Sequence, residues 1–243
     1  MSHEVFNLKQ AAEHVHLDQN ELRHVAQRGE IEATERGGDW YFEHRALDEW
    51  AQRNLLAANA RDLAAQHRSM SEERRRLDKA DWGVASLFSV DTIDLSVQAK
   101  AKAGILRDMT DLAERGGKVY DVEGLFKELV AREAAASTAI GEGVALLHPR
   151  FHDPYMFEES FVAYGRSDRP VFFGAPDGEG TRHFFLICST DHRAHLHILA
   201  RLAVLAHGTD LVARLETAED ADAALAAIRE CEAEFNGNGD FAH

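Results

Sequence analysis

Gly141-Glu142-Gly143 sets a carboxylate between two glycines, and the apolar run Val144-Ala145-Leu146-Leu147 follows and stops on His148. This stretch constrains the chain more than any other. A short apolar run bounded by glycine reads as a buried strand. Such a strand belongs to a layered sheet and delivers one titratable ring to its edge. Histidine, with an ordinary pKa near ~6.5, offers an unprotonated nitrogen at neutral pH and is therefore a candidate nucleophile.

The surrounding pattern supports a layered α/β domain. Ile93-Asp94-Leu95 opens it, and Gln98 to Arg115 reads as a helix that Gly116-Gly117 stops. Asp121 is placed to cap a helix running to about Glu133. One strand ends at His148, and others lie around Phe161-Val162-Ala163-Tyr164 and Phe184-Phe185-Leu186-Ile187. Ala194 to His207 is an amphipathic helix, and two Ala-rich helices follow by about Glu232. Strands alternating with helices predict a mixed sheet flanked by helices.

Residues 1–53 read as a separate small unit. Leu8, Ala11, Ala12 and Val15 recur at helical spacing. Asp18 and Glu21 have the spacing of a capping box for a second helix, which buries Leu22, Val25 and Ala26 and ends at Gly29. An extended stretch from Ile31, a turn at Gly37-Gly38 and a return through Trp40-Tyr41-Phe42 form a hairpin. Glu43 to Trp50 predicts a third helix. The plan is a small winged helix-turn-helix. Residues 54–80, rich in Ala, Leu, Arg and Glu, predict a helical linker. Its apolar stripe is either a homodimer seam or a face against a neighbouring domain. Its Arg74-Arg75-Arg76 reads as a solvated face or a contact to DNA. The expected boundaries are 1–53, 54–84 and 85–235.

The formal net charge is −15 over 243 residues. That argues against bulk nucleic-acid affinity and suits a chain that docks basic partners. Cys188 and Cys231 fit neither metal spacing nor a disulfide framework. A reducing cytoplasm is the expected location, since no signal pattern opens the chain and no apolar run nears the ~18 residues of a membrane span. No metal and no cofactor is expected. His14/His16 and His195/His197 stand at i, i+2, which diverge on a helix, and Asp191 with His195 supplies two ligands where zinc takes four.

Residues 1–53 resemble the excisionase/MerR-like DNA-binding domain. The likeness is carried by Phe6-Asn7-Leu8-Lys9-Gln10-Ala11-Ala12-Glu13, Gly29-Glu30-Ile31-Glu32-Ala33, Gly38-Asp39-Trp40-Tyr41-Phe42 and Leu47-Asp48-Glu49-Trp50. It implies that the second helix enters the major groove of DNA and offers Gln19, Asn20, Arg23, His24, Gln27 and Arg28, while Arg36 on the wing reaches phosphate or the minor groove. Six Lys+Arg against eleven Asp+Glu in this segment leave few cations for phosphate. A helix-turn-helix that binds protein or dimerises therefore stays open beside the DNA reading.

Residues 90–232 resemble enzyme IIA of the fructose/mannitol/nitrogen-regulatory (PtsN-like) family of the phosphotransferase system. The likeness rests on Arg132-Glu133, on Ser137-Thr138-Ala139-Ile140-Gly141-Glu142-Gly143-Val144-Ala145 leading into His148, on Val171-Phe172-Phe173-Gly174-Ala175-Pro176-Asp177-Gly178, and on His195-Leu196-His197-Ile198-Leu199-Ala200-Arg201-Leu202-Ala203. It implies the enzyme IIA fold and a phosphoryl acceptor at His148. Arg132 would offer a planar fork to the phosphoryl oxygens, and His195 would donate through one ring nitrogen. Thr138 and loop N–H groups would add hydrogen bonds, with the glycines allowing close approach, and Glu142 would orient an imidazole or Arg132. His197, about 200° round the helix from His195, is expected to be structural. The family usually reads Pro-His-Gly at the acceptor, whereas this chain reads Leu147-His148-Pro149. Proline offers no N–H and biases His148 toward extended geometry. Either Arg150 compensates, or the site no longer turns over.

The resemblance implies a cytoplasmic regulator, a transferase component if active. It would take phosphate on His148 from an HPr-like phosphocarrier and be read out through the DNA-binding-type domain. Two rivals stand beside it: a catalytically silent IIA-like module that binds protein or ligand, and a transport-type donor to a separate IIB protein.

Overall fold

The computed structural model describes residues 5–15, 17–57, 83–150 and 155–237. The helix expected over 54–80 lies outside the described residues beyond Ala57, as do Arg74-Arg75-Arg76 and His16. The chain divides into two units, Met1–Lys79 and Ala80–His243.

The first unit runs β1 (Val5–Asn7), α1 (Leu8–Val15), α2 (Gln19–Gln27), β2 (Ala33–Arg36), β3 (Asp39–Glu43) and α3 (His44–Ala57). Asn7 and Gln10 open α1 with a reciprocal capping box: the Gln10 N–H donates to Asn7 Oδ1 at 2.9 Å, and the Asn7 N–H donates to Gln10 Oε1 at 3.1 Å. Asp18 caps α2 by accepting from the Asn20 N–H at 2.8 Å. Gly37 and Gly38, with φ of 63° and 87°, make the tight turn between β2 and β3. Strand β1 is unexpected. Three residues carry no readable period, yet they pair antiparallel with β3 and make the wing three-stranded, in the order β1-β3-β2. Ala11, Leu22, Phe42 and Leu47 are fully buried at its centre.

The second unit contains β4 (Ile93–Val97), α4 (Lys102–Arg115), α5 (Val122–Ala135), β5 (Ala139–Gly141), β6 (Val144–Leu147), β7 (Phe161–Val171), β8 (Thr181–Cys188), α6 (His192–Gly208), α7 (Leu211–Thr217) and α8 (Ala221–Gly237). Its sheet has the order β4-β7-β8-β6-β5. The pairs β4/β7 and β6/β8 are parallel, and β7/β8 and β5/β6 are antiparallel. Alternation sorts the side chains. Ala145, Leu147, Phe184 and Leu186 share one core with Met109 of α4 and with Leu125 and Leu129 of α5. Their strand neighbours Val144, Leu146, Phe185 and Ile187 are buried as well, on the side where α6 packs against β6 and β8. Burial on both faces explains why these strands read as unbroken apolar runs. Among the described residues no single helix is long and apolar enough to cross a membrane.

Two expected elements differ. The first helix of this unit begins at Lys102, not Gln98, because the Asp108 carboxylate accepts from the Ala99 N–H at 3.1 Å and holds the preceding turn open. The strand that ends at His148 is in fact preceded by a hairpin, β5 folding back onto β6.

Candidate active site

The hairpin turn is Glu142-Gly143, with φ of 52° and 76°, both left-handed, after Gly141 at 95°. A two-residue hairpin turn requires such angles, so the glycines serve the turn. They do not approach a phosphate, because the turn lies at the start of β6 and His148 at its end. Glu142 is correspondingly remote: roughly 15–20 Å of strand separate it from His148. Its exposed carboxylate pairs instead with His207 Nδ1 at 3.2 Å, and its N–H donates to Asp177 Oδ2 at 2.8 Å. Of the expectation that Glu142 orients an imidazole or Arg132, the structure shows a pairing with the imidazole of His207, away from His148 and Arg132. The Asp177 carboxyl, which also accepts from the Glu179 N–H, is held below the usual carboxylate range by these backbone donors.

His148 emerges at the carboxyl ends of the parallel strands β6 and β8, the edge where α/β sheets place their ligands. Helices on the two faces each contribute one residue. From the last turn of α5, Arg132 Nε donates to His148 Nε2 at 2.9 Å. From the first turn of α6 comes His195, its ring centroid 5.0 Å from that of His148 and tilted by 56°. Arg132 is steadied by its own helix end, where Nη1 donates to the Ala136 carbonyl at 2.8 Å. Asp191 caps α6, accepting from the Ala194 N–H at 3.1 Å. His148 and His195 are 0% exposed and Arg132 is 5% exposed.

These contacts determine the tautomer. Arginine has donors and no acceptor, so Nε2 of His148 presents its lone pair. The ring proton is therefore on Nδ1, which donates to the Leu146 carbonyl at 2.8 Å. The histidine is neutral, with its basic nitrogen aimed at a guanidinium.

A second network fixes the loop between α5 and β5. Glu133, 6% exposed, does not pair with Arg132. Its Oε1 takes Lys102 Nζ at 2.7 Å, and its Oε2 accepts from the Thr138 N–H at 3.0 Å and the Thr138 hydroxyl at 2.6 Å. The Thr138 hydroxyl is thus directed to Glu133, not to the imidazole. Ser137 Oγ donates to the Phe173 carbonyl at 2.8 Å. Phe173 and Asp177 of the 171–178 motif therefore brace both ends of β5. Sequence reasoning missed Lys102 and the Leu146 carbonyl. It saw Glu133 only as a neighbour of Arg132, although an acidic residue beside that arginine was the one available signal.

His197, 5% exposed, is buried along with His195, so α6 is enclosed on more than one side. Pro149 is buried and adds no donor; Arg150 is half-buried. In the first unit Gln19, Asn20, Arg23, His24 and Gln27 lie exposed along α2, Arg28 lies exposed at its C-cap, and Arg36 lies exposed on the wing. Arg28 is ion-paired with Glu30, which raises the pKa of the one and lowers that of the other.

A further histidine, His183, stands on β8 of the same sheet. Its Nε2 lies 3.3 Å from a Glu216 carboxylate oxygen, which only accepts, so the proton is on Nε2. Its Nδ1 then accepts from the Tyr164 hydroxyl at 2.8 Å. Burial pushes the His183 pKa down to about 4, against the opposing pull of Glu216, and pushes the Tyr164 phenol far up. Arg182 also pairs with Glu216, and Arg166 Nη1 donates to the carbonyls of Leu215, Glu216 and Ala218 at the end of α7.

Comparison with known proteins bears on this geometry. Residues 86–231 match the family model described as phosphoenolpyruvate-dependent sugar phosphotransferase system, EIIA 2, and residues 5–55 match a helix-turn-helix domain model. The nitrogen regulatory protein of Pseudomonas aeruginosa is 30% identical over 131 residues, 53% of this chain and 83% of that protein. The fructose-specific EIIABC component of Bacillus subtilis is 28% identical over 60% of this chain, which spans 23% of that longer protein. The crystal structure of the nitrogen regulatory protein IIA-Ntr from Neisseria meningitidis superposes with a TM-score of 0.54 at 25% identity, covering 60% of this chain and 98% of that one.

Proposed function

Because this chain belongs to the EIIA 2 family of the phosphoenolpyruvate-dependent sugar phosphotransferase system, with a helix-turn-helix domain ahead of the family domain, we propose that Nε2 of His148 accepts a phosphoryl group from an HPr-like phosphocarrier. The observation that carries this reading is the forced tautomer: Nε2 holds a lone pair and faces a guanidinium.

The lone pair attacks phosphorus as the bond from phosphorus to the donor breaks, and no proton has to be removed first. Nitrogen gives up electron density in forming the new bond, so positive charge grows on the ring. The Nδ1–H bond to the Leu146 carbonyl stabilises that charge. Arg132 gives up its bond to Nε2 and donates to the phosphoryl oxygens instead, neutralising charge that is spread over three atoms. His195, beside the acceptor at the first turn of α6, adds a donor. The helix N-terminus favours the same negative group. Reaching Nε2 requires the donor to open a fully buried site, so docking and opening form one step.

The phosphorylated state is then read out through the helix-turn-helix unit, whose exposed α2 residues and Arg36 contact DNA or a protein target. Added negative charge is the physical signal. A IIB-like protein is the alternative recipient. A silent binding module is the rival reading, favoured by the burial of His148 and by Pro149, which supplies no N–H to a phosphate.

Full-length protein incubated with phosphoenolpyruvate, enzyme I and an HPr-like carrier is expected to gain one acid-labile, base-stable phosphoryl group. His148→Ala is expected to gain none. No gain in the wild type, or a gain that survives His148→Ala, rejects the acceptor assignment. Binding of genomic DNA fragments at two salt concentrations tests the first unit. A response without fragment preference and without weakening in salt rejects the DNA reading.

A further inference from the structure

The first unit holds a group of metal-ligating side chains that the phosphoryl site does not use. His14 closes α1, and His44 and Asp48 stand at i, i+4 on the first turns of α3, which places them on one helix face. His14 Nε2 lies 2.8 Å from Asp48 Oδ1, and His44 Nδ1 lies 3.5 Å from Asp48 Oδ2. One ring nitrogen from each histidine and one carboxylate oxygen lie within 4.8 Å of one another. The two rings are 4.8 Å apart. Phe6 packs against both, at 5.2 Å from His14 and 5.3 Å from His44, and forms an apolar wall behind them.

We propose that His14, His44 and Asp48 form a divalent transition-metal site of the zinc type that ties α1 to α3 across the helix-turn-helix unit. The donor set suits it: two imidazoles and one carboxylate are borderline ligands of the kind zinc, cobalt(II) and nickel(II) take. The spacing suits it as well. Donors about 2.0–2.1 Å from a tetrahedral ion are roughly 3.3 Å from one another. The separations of 2.8 Å from His14 Nε2 to Asp48 Oδ1 and 3.5 Å from His44 Nδ1 to Asp48 Oδ2 lie either side of that spacing, each through its own carboxylate oxygen. The His44 side chain, 34% exposed, has room to turn as the donors close on an ion. A four-coordinate ion held by these three residues would take water as its fourth ligand.

The consequence is mechanical. Helix α2, which carries Gln19, Asn20, Arg23, His24 and Gln27, lies between α1 and α3 in the chain. An ion fastening its two neighbours would stabilise a unit too small to gain much from its core alone. Occupancy of the site would then set how firmly α2 is presented.

The test uses full-length protein freed of metal by chelation at neutral pH. Titration with Co2+ is expected to give the visible absorption of four-coordinate cobalt, saturating at one ion per chain, and Zn2+ is expected to bleach it. Zn2+ alone is expected to raise the first thermal unfolding transition by several degrees. His14 is buried and its replacement risks unfolding, so the diagnostic variants are His44→Gln and Asp48→Asn, with folding confirmed by circular dichroism. Each is expected to weaken Zn2+ binding on the order of a hundredfold or more. His207→Gln, in the other unit, is expected to leave it unchanged. Equal Zn2+ affinity in the wild type and Asp48→Asn, or a thermal transition that Zn2+ does not move, overturns the proposal.

Discussion

His148, just past the end of β6, and His183, on the adjacent strand β8, are both buried and both neutral, yet their ring nitrogens are arranged in opposite ways. What separates them is the sign of the group at Nε2. At His148 that nitrogen meets Arg132, a cation that only donates, so Nε2 keeps its lone pair and the proton stays on Nδ1, which donates to the Leu146 carbonyl. At His183 it meets Glu216, an anion that only accepts, so the proton sits there and the other nitrogen's lone pair is taken by Tyr164. On the proposed function the first ring is the nucleophile, held by a group that also suits phosphoryl oxygens. The second is a strut whose hydrogen-bonding capacity is used within the fold. A buried histidine is therefore not a site in itself; its neighbours' charge decides.

Replacing Arg132 breaks the comparison most severely. Arg132→Ala removes the charge that, on the proposed function, meets the incoming phosphoryl group, and the phosphorylation rate is expected to fall on the order of a thousandfold, about 4 kcal/mol of transition-state stabilisation. Arg132→Lys is expected to recover little of it, because an ammonium cannot donate as a planar fork. Quench-flow with a phosphorylated carrier measures both. A rate within about twofold of wild type in Arg132→Ala would mean that His148 gains nothing from its cation. The contrast with His183 would then lose its functional meaning.

The scaffold behind Arg132 comes next. Glu133→Ala strips an acceptor from the Thr138 N–H, the Thr138 hydroxyl and Lys102 at once. The expected loss is about 2–4 kcal/mol of stability, read by denaturant unfolding. A loss of a few tenths would show that the loop after α5 is held by the Ser137–Phe173 contact instead.

The parts of this arrangement that could be read in the sequence are those with a local pattern. The strand into His148, the capped helix bearing Arg132 and the helix beginning near His195 each announce themselves by period or cap, and their order matches a known family. The letters Gly141-Glu142-Gly143 carry the hairpin turn, yet suit a phosphate-approaching loop equally well, because glycine marks both uses. Local pattern does not reveal partners. Lys102 and Glu133 are 31 residues apart, and Tyr164 and His183 are 19 apart. His14 and His44 come together only when α1 packs on α3, so metal spacing sought between near neighbours passes over them.

His183 sharpens the comparison through pH. Its folded pKa of about 4 lies below the ordinary histidine value. The folded state therefore binds fewer protons than the unfolded chain between roughly pH 6.5 and 4. Its contribution is complete above the upper limit and is lost as pH falls through the lower one. Between pH 7 and 5 the wild type is expected to lose about 2 kcal/mol more than His183→Gln. Paired urea melts at the two values measure this, and identical losses in both proteins would mean that burial does not depress the His183 pKa in the fold. Phosphorylation of His183→Gln at neutral pH is expected to match wild type, since its ring touches none of the acceptor residues.

Glu142 gives the smallest effect and the sharpest check on geometry. Its carboxylate lies at the far end of β6 and pairs with His207 on the surface, where an exposed pair stabilises by less than about 1 kcal/mol. Glu142→Gln is therefore expected to change the phosphorylation rate less than about twofold, against the thousandfold of Arg132→Ala. Glu142→Gly removes a side chain held at a φ of 52° and is expected to be neutral or slightly stabilising, by up to about 1 kcal/mol, in thermal unfolding. A large rate loss in Glu142→Gln with unchanged stability would place the carboxylate at the acceptor during transfer. It would require the β5–β6 hairpin to rearrange when the donor docks, and the buried state of His148 would then be a closed form that the hairpin opens.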